Sequence, residues 1–196
     1  RIADPVSALT DFLYERLKHY LSISSLDEEA LASGQRFFTT DAGVRAAYTS
    51  NQIDAVLALR PQRLAEVAQR LQAVRAFAAL PEAPALAAAN KRIGNILKKS
   101  EGEGAPVDPA LFVEVAEKDL YAAMQSAVPD ANAKFQAGDH TASLQALAAL
   151  RTPVDAFFDG VMVNADDPAL KANRLGLLKS LHDAMNRVAD LSRLAT

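Results

Sequence analysis

Apolar side chains recur every three or four residues along almost the whole chain, and β-branched alternation over four or more residues does not occur. A chain with that period has one apolar stripe per helix to bury, so helix must pack on helix. The clearest case is Leu64, Val67, Leu71, Val74 and Phe77, all in register. Phe12, Leu13, Leu17, Tyr20 and Leu21 make a similar face near the start. The class expected is therefore all-α: a bundle of roughly eight to nine helices with short connections, forming a single domain over residues 1–196.

Proline and loop residues punctuate the bundle. Pro5 sits in the first turn of a helix expected from about Asp4 to Leu21. "SSLDEEALA" reads as a short helix, and "FFTTDAGVRAAYTS" as a second short helix or an ordered loop. Asn51 is placed to cap "QIDAVLAL", and Pro61 to open a helix to about Leu80. Another helix is expected from about Ala85 to Lys99, followed by the loop "SEGEGAPVDP". The next is expected from Pro109 to about Ala127, with "PDANAKFQAGDH" as a short helix and turn. Thr141 to Leu150 reads as helical, Pro153 starts a further helix, and Pro168 starts the last, to about Leu194.

Composition removes several kinds of chemistry. There is no Cys, which excludes disulfides, thiolate catalysis and Cys-ligated zinc and agrees with a cytoplasmic location. No apolar run approaches the roughly 20 residues of a membrane span, so no membrane partner is expected. The N-terminus lacks a charged head followed by an apolar run, so no signal peptide is expected. The chain starts at Arg1 rather than Met and is read as a piece of a longer polypeptide. Its three histidines, His19, His140 and His182, are far apart and fall in no metal-binding spacing. Glu28–Glu29 and Asp166–Asp167 sit among turn residues, where helix N-terminal charge explains them. "EGEG" carries its own negative charges and no GK[ST] follows it, so it cradles no phosphate. No catalytic residue, metal site or cofactor site is expected in this chain.

The net charge of −3 is unevenly spread. Residues 1–100 carry 13 Lys/Arg against 10 Asp/Glu, whereas residues 101–196 carry 8 against 14. The first half is thus locally basic, and one helix concentrates that charge. In "AANKRIGNILKKS", with about 100° per residue, Lys91, Arg92, Asn95, Lys98 and Lys99 fall within about 120° of one another. Ala89, Ile93, Ile96 and Leu97 take the opposite side, and no acid interrupts Lys91 to Lys99. Like charges on one face repel, so an ordinary solvated face would interleave Glu. The macrodipole accounts for Lys98 and Lys99 at the helix end, but not for Lys91 and Arg92. A polyanion fits this face as a partner; the alternative is a helical scaffold that binds only protein, with the 91–99 face solvated or set against an acidic partner.

Two further stretches suit RNA. Helix one carries Arg16, Lys18 and His19 with Tyr14 and Tyr20 nearby. The irregular 36–50 segment offers Arg36, Phe37, Phe38, Arg45 and Tyr48. Cations meet phosphate, and rings stack on unpaired bases.

Four stretches, in order, resemble the β subunit of bacterial two-subunit glycyl-tRNA synthetase. They are "DFLYERLKHYL", "IDAVLAL", "AANKRIGNILKK" and "LRTPVDAFFDGVMVNADDPALKANRLGLL". "VDPALFVEVAEKDLYAAM" looks like the same family's segment between the last two. The resemblance implies a C-terminal anticodon-binding domain of the helical type also found in arginyl-tRNA synthetases, which are the alternative family. It implies that the whole enzyme attaches glycine to tRNA-Gly using ATP and Mg²⁺ at the α subunit, a partner reached through the full-length β chain. This part would be non-catalytic and would grip the anticodon region, with Arg36, Phe38, Arg45 and Tyr48 offering contacts to splayed anticodon bases. The stretch at 150–178 would then be architecture: Phe157, Phe158, Val161 and Met162 would bury against Leu175 and Leu178. Asp155 and Asp159 would face water or pair with Arg174. Three departures stand out: a long 24–48 segment, Asn164 where Met is more usual, and Gly94 where Ala or Ser is more usual.

Overall fold

The computed structural model describes residues 5–23, 35–39, 45–100 and 105–195, with side chains described at 10–19, 48–100 and 105–195. Helix α1 spans Pro5–Ile23. Strands β1 (Gln35–Thr39) and β2 (Arg45–Thr49) pair antiparallel with Gln35 opposite Thr49. Then follow α2 (Ser50–Leu57), α3 (Ala65–Ala78) and α4 (Ala83–Lys99). After a 3₁₀ turn at Pro109–Leu111 come α5 (Val115–Gln136), α6 (His140–Ala148), α7 (Arg151–Gly160) and α8 (Pro168–Met185). A second 3₁₀ turn, Leu191–Leu194, closes the described chain. The all-α reading therefore holds for the bundle, with eight α-helices among the described residues. The hairpin is the departure: part of the segment read as helix or loop is strand. The expected helix in "SSLDEEALA" lies outside the described residues.

Cap chemistry explains where helices begin. Thr49, not Asn51, caps α2: its Oγ1 accepts from Gln52 N–H, and the Gln52 side chain accepts from Thr49 N–H. Asp139 and Asp167 cap α6 and α8 through their carboxylates. Pro61 does not open α3, which starts four residues later, and Leu64 is 51% exposed instead of belonging to the buried stripe. Pro109 opens only the 3₁₀ turn; α5 starts at Val115 under a Glu114–Glu117 capping box. Pro129 does not end α5, which continues to Gln136. Losing one N–H from the ladder is offset there by packing on α6. Ala131 is buried, and its carbonyl accepts the Ser143 hydroxyl at 2.8 Å. Pro153 lies inside the first turn of α7, which begins at Arg151. The last long helix stops at Met185, and the chain turns before the final 3₁₀ segment.

The core runs through every helix. Phe77, Phe157, Ile53, Leu71, Leu86, Ile93, Leu120, Leu144 and Leu178 are its largest fully enclosed side chains. Helices α5 and α6 form a hairpin that packs on α3 and α7, and α4 lies against α7, α8 and the final 3₁₀ turn. Of the α1 stripe, the side chains of Tyr20 and Leu21 lie outside the described residues. Tyr14 and Leu17 pack on the core, whereas Phe12 and Leu13 are exposed.

Polar residues fix the geometry at depth. Glu117 and Arg174 form a two-pronged ion pair at 2.8 and 3.1 Å, and both are buried. Glu117 also accepts the N–H groups of Val113 and Glu114, and Arg174 donates to the Met162 carbonyl. Burial works to raise the Glu117 pKa, but the Arg174 hydrogen bond, the backbone N–H groups and the guanidinium charge outweigh it and hold the carboxyl below its ordinary value. Arg174 thus pairs with Glu117, and Asp155 sits at the surface 3.5 Å from Arg151. Nearby, the Asn173 amide bonds both the N–H and the carbonyl of Asp108, laying residues 105–108 flat on α8. Gly176 makes room for that segment, because a Cβ there would lie 2.0 Å from the Ala105 carbonyl oxygen.

Candidate nucleic-acid interface

The C-terminal segment holds α4 in place. Asn90 and Asn186 exchange amide hydrogen bonds at 2.8 and 3.1 Å, and Asn186 also accepts from Leu191 N–H. Asp190 N–H donates to the Ala55 carbonyl, and buried Arg70 donates to the carbonyls of Arg187 and Val188. These contacts bind residues 186–191 to α2, α3 and α4 together. Ala89 and Ile93 seat α4 on its buried side, with Ile96 and Leu97 half-buried.

The opposite side is open. Lys91, Arg92, Asn95, Lys98 and Lys99 are all exposed, as the helical wheel requires. None of the four cations makes an ion pair among the described residues. Two concavities flank the helix. One, of about 440 Å³, is lined by Lys91, Arg92, Asn95, Ile96 and Lys99 with Ala88 and Ala195. The other, of about 740 Å³, runs between α4 and the final turn, where Lys91, Asn95 and Lys98 face His182, Asn186 and Arg193. Lys91 and Asn95 line both.

Sequence reasoning missed the far wall of the larger groove. Arg193 is exposed and pairs with Asp190 at 3.0 Å. His182 falls in no metal-binding spacing, and nothing in the sequence assigns it a site role. Burial lowers its pKa, Lys179 and Lys98 lower it further, and Asp183 and Asp190 act in the opposite direction. The one available signal was position: both follow the resemblance stretch, His182 on α8 and Arg193 on the final 3₁₀ turn.

Phe158 is the other surprise. Phe157 is wholly buried, but Phe158 is half-buried and meets Phe157 edge-on at 5.6 Å. Its ring lies under the guanidinium of Arg92, 4.1 Å from ring centroid to Cζ. Met162 is 74% exposed, so only Phe157 and Val161 of that set are core. The physical reason is the end of α7: Gly160 is its last residue, and Val161 turns extended, which swings Met162 outward.

The helix-one candidates are held by different elements, since α1 packs on α2 and β1. Arg16 and His19 are exposed, with Arg16 over the Phe12 ring at 5.4 Å. Lys18 is engaged with Asp54 at 2.8 Å. Neither concavity beside α4 is lined by any of the three. Tyr48 is 2% exposed and packs in the core, so its ring is not presented to a base. The side chains of Arg36, Phe38 and Arg45 lie outside the described residues.

Among the described residues no group of three or more His, Cys, Asp or Glu could hold a metal ion, and no helix is long and apolar enough to cross a membrane. What remains is a helix whose basic face is unneutralised among the described residues and lies between two grooves, an arrangement suited to an extended polyanion.

The sequence pattern of the DALR anticodon binding domain matches residues 86–191, which begin just before this face and end in the segment that anchors it. The chain belongs to that family. Over its full length it is 59% identical to a protein of Delftia acidovorans named glycine–tRNA ligase beta subunit, of which it covers 25%. It is 69% identical over 149 residues, 76% of this chain and 21% of the relative, to the protein of the same name from Thiobacillus denitrificans. A third, from a Janthinobacterium strain, is 57% identical over 98% of this chain. The chain spans about a quarter of the length of the curated relatives it matches.

Proposed function

We propose that this chain binds the anticodon region of tRNA-Gly within a glycine–tRNA ligase β subunit. The observation that carries the reading is the face of α4: four cations and an amide, exposed, unpaired among the described residues, in a domain of the DALR anticodon binding family. Lys91, Lys98 and Lys99 neutralise anticodon-arm phosphates and set register. Asn95, at the shared edge of both grooves, reads a base edge with its amide. Arg16 and His19 on α1 extend the basic surface, and Arg36, Phe38 and Arg45 supply further base contacts. Lys18 takes part only by exchanging Asp54 for phosphate.

The chain does no chemistry in this scheme. Glycine activation with ATP and Mg²⁺ belongs to the α subunit, which the complete β chain joins in the cytoplasm. The names of the relatives support the glycyl reading over the arginyl one. The test is binding of the complete protein to tRNAs that differ only in anticodon. Loss of affinity on changing the glycine anticodon, steepest at one or two positions, supports the reading. Equal affinity for every anticodon, at every salt concentration, contradicts it.

A further inference from the structure

The cations of α4 are not equivalent. Lys91, Lys98 and Lys99 carry ammonium groups on flexible stems, with no ring or acid against them among the described residues. Arg92 is fixed. Its guanidinium lies on the Phe158 ring at 4.1 Å, and that ring is itself braced edge-on by buried Phe157. A guanidinium is planar and weakly hydrated, and pinning one face on an aromatic ring leaves the other as a flat cationic surface. Arg92 remains exposed and lines the smaller concavity beside Asn95, one turn along the helix. Arginine planes and aromatic rings are the surfaces on which unpaired RNA bases stack.

We propose that Arg92, held on Phe158, is a stacking platform for one unpaired base of the RNA loop, with the Asn95 amide placed to meet that base's edge. This rests on the reading of α4 as an RNA-binding face and divides labour within it: the lysines hold phosphate and Arg92 holds a base. Phe158, within the apolar run of the most distinctive stretch in the chain, then serves the site as well as the core.

The probe is an RNA hairpin with the sequence of the anticodon arm, carrying 2-aminopurine at one loop position at a time, bound to the complete protein. Wild type should change the fluorescence strongly at one loop position. Arg92→Lys keeps the charge, so the salt slope should stay at its wild-type value, while affinity falls about tenfold and that fluorescence change disappears. Phe158→Leu keeps an apolar side chain but removes the flat support, and should give the same signature with Arg92 intact. Should Phe158→Leu fail to fold, Arg92→Lys alone decides. If Arg92→Lys binds like wild type while Lys91→Ala and Lys98→Ala bind weakly with shallower salt slopes, Arg92 is only a phosphate contact and the platform is wrong. If no substitution on α4 changes hairpin binding, the RNA-binding reading of the face fails together with the platform.

Discussion

Arg174 and Arg92 are both pinned, and they are pinned in opposite ways. Arg174 is buried, gripped by both oxygens of Glu117 and by the Met162 carbonyl. Arg92 is exposed and lies on a ring, with no carboxylate bound to it among the described residues. A buried charge must be matched in full, so Arg174 spends its donors on architecture. Arg92 keeps its donors and its outer face available. The same contrast separates the two regions that carry these residues. The inner face of 150–178 is core and ion pair, whereas the outer face of α4 carries charge with no acidic partner among the described residues. Unmatched charge on a well-ordered element marks the surface where a partner belongs.

The comparison breaks most visibly at the buried pair. Arg174→Ala leaves Glu117 charged and enclosed and should cost about 3–5 kcal/mol in denaturant unfolding. The pair also sets the acid limit. The folded-state pKa of Glu117 lies below its unfolded value, so its contribution is present above the ordinary carboxylate range and is lost as pH falls through the folded pKa. Wild type should therefore lose stability in that acidic window, and an Arg174→Met/Glu117→Leu double variant should lose less. An unchanged acid profile in the double variant would remove the pair from the account.

The two phenylalanines sharpen the contrast. Phe157→Ala empties a fully buried site and should cost about 3–5 kcal/mol, whereas Phe158→Ala should cost distinctly less, because its ring is half-buried. Calorimetry on both tests the division; equal losses would return Phe158 to the core. Gly176→Ala should cost about 1–3 kcal/mol, since the new Cβ must displace the backbone of residue 105. The smallest effect is expected on the interface helix itself. A Cβ at Gly94 would meet only His182 Nε2, at an ordinary 3.5 Å. Gly94→Ala should therefore stabilise by about 0.5–1 kcal/mol, read as a higher Tm.

How much was legible beforehand follows the range of the interaction. The helical period showed the stripes of α3 and α4, and the α4 wheel placed Lys91, Arg92, Asn95, Lys98 and Lys99 on one exposed face. Those are local facts, carried by spacing. The pairs that build the core and anchor the site are not local: Glu117 and Arg174 are 57 residues apart, and Asn90 and Asn186 are 96 apart. Nothing in the composition of either stretch points to its partner. The hairpin escaped because five-residue strands such as "QRFFT" and "RAAYT" show too little alternation to register. The run through Pro129 escaped because tertiary packing on α6 overrode a local helix breaker. Phe158 was read as core because an aromatic beside a buried aromatic carries no sign of which one an arginine will cover.

The central claim is that the α4 face binds RNA phosphate, and salt dependence of binding tests it most directly. The slope of log affinity against log salt is to be measured for the complete protein and tRNA-Gly, with and without Lys91→Ala, Lys98→Ala and Lys99→Ala combined. The account predicts weaker binding, a slope shallower by about 2–3 because each phosphate contact releases close to one counterion, and a Tm near wild type. Wild-type affinity with a wild-type slope in the triple variant would contradict it and leave the face merely solvated.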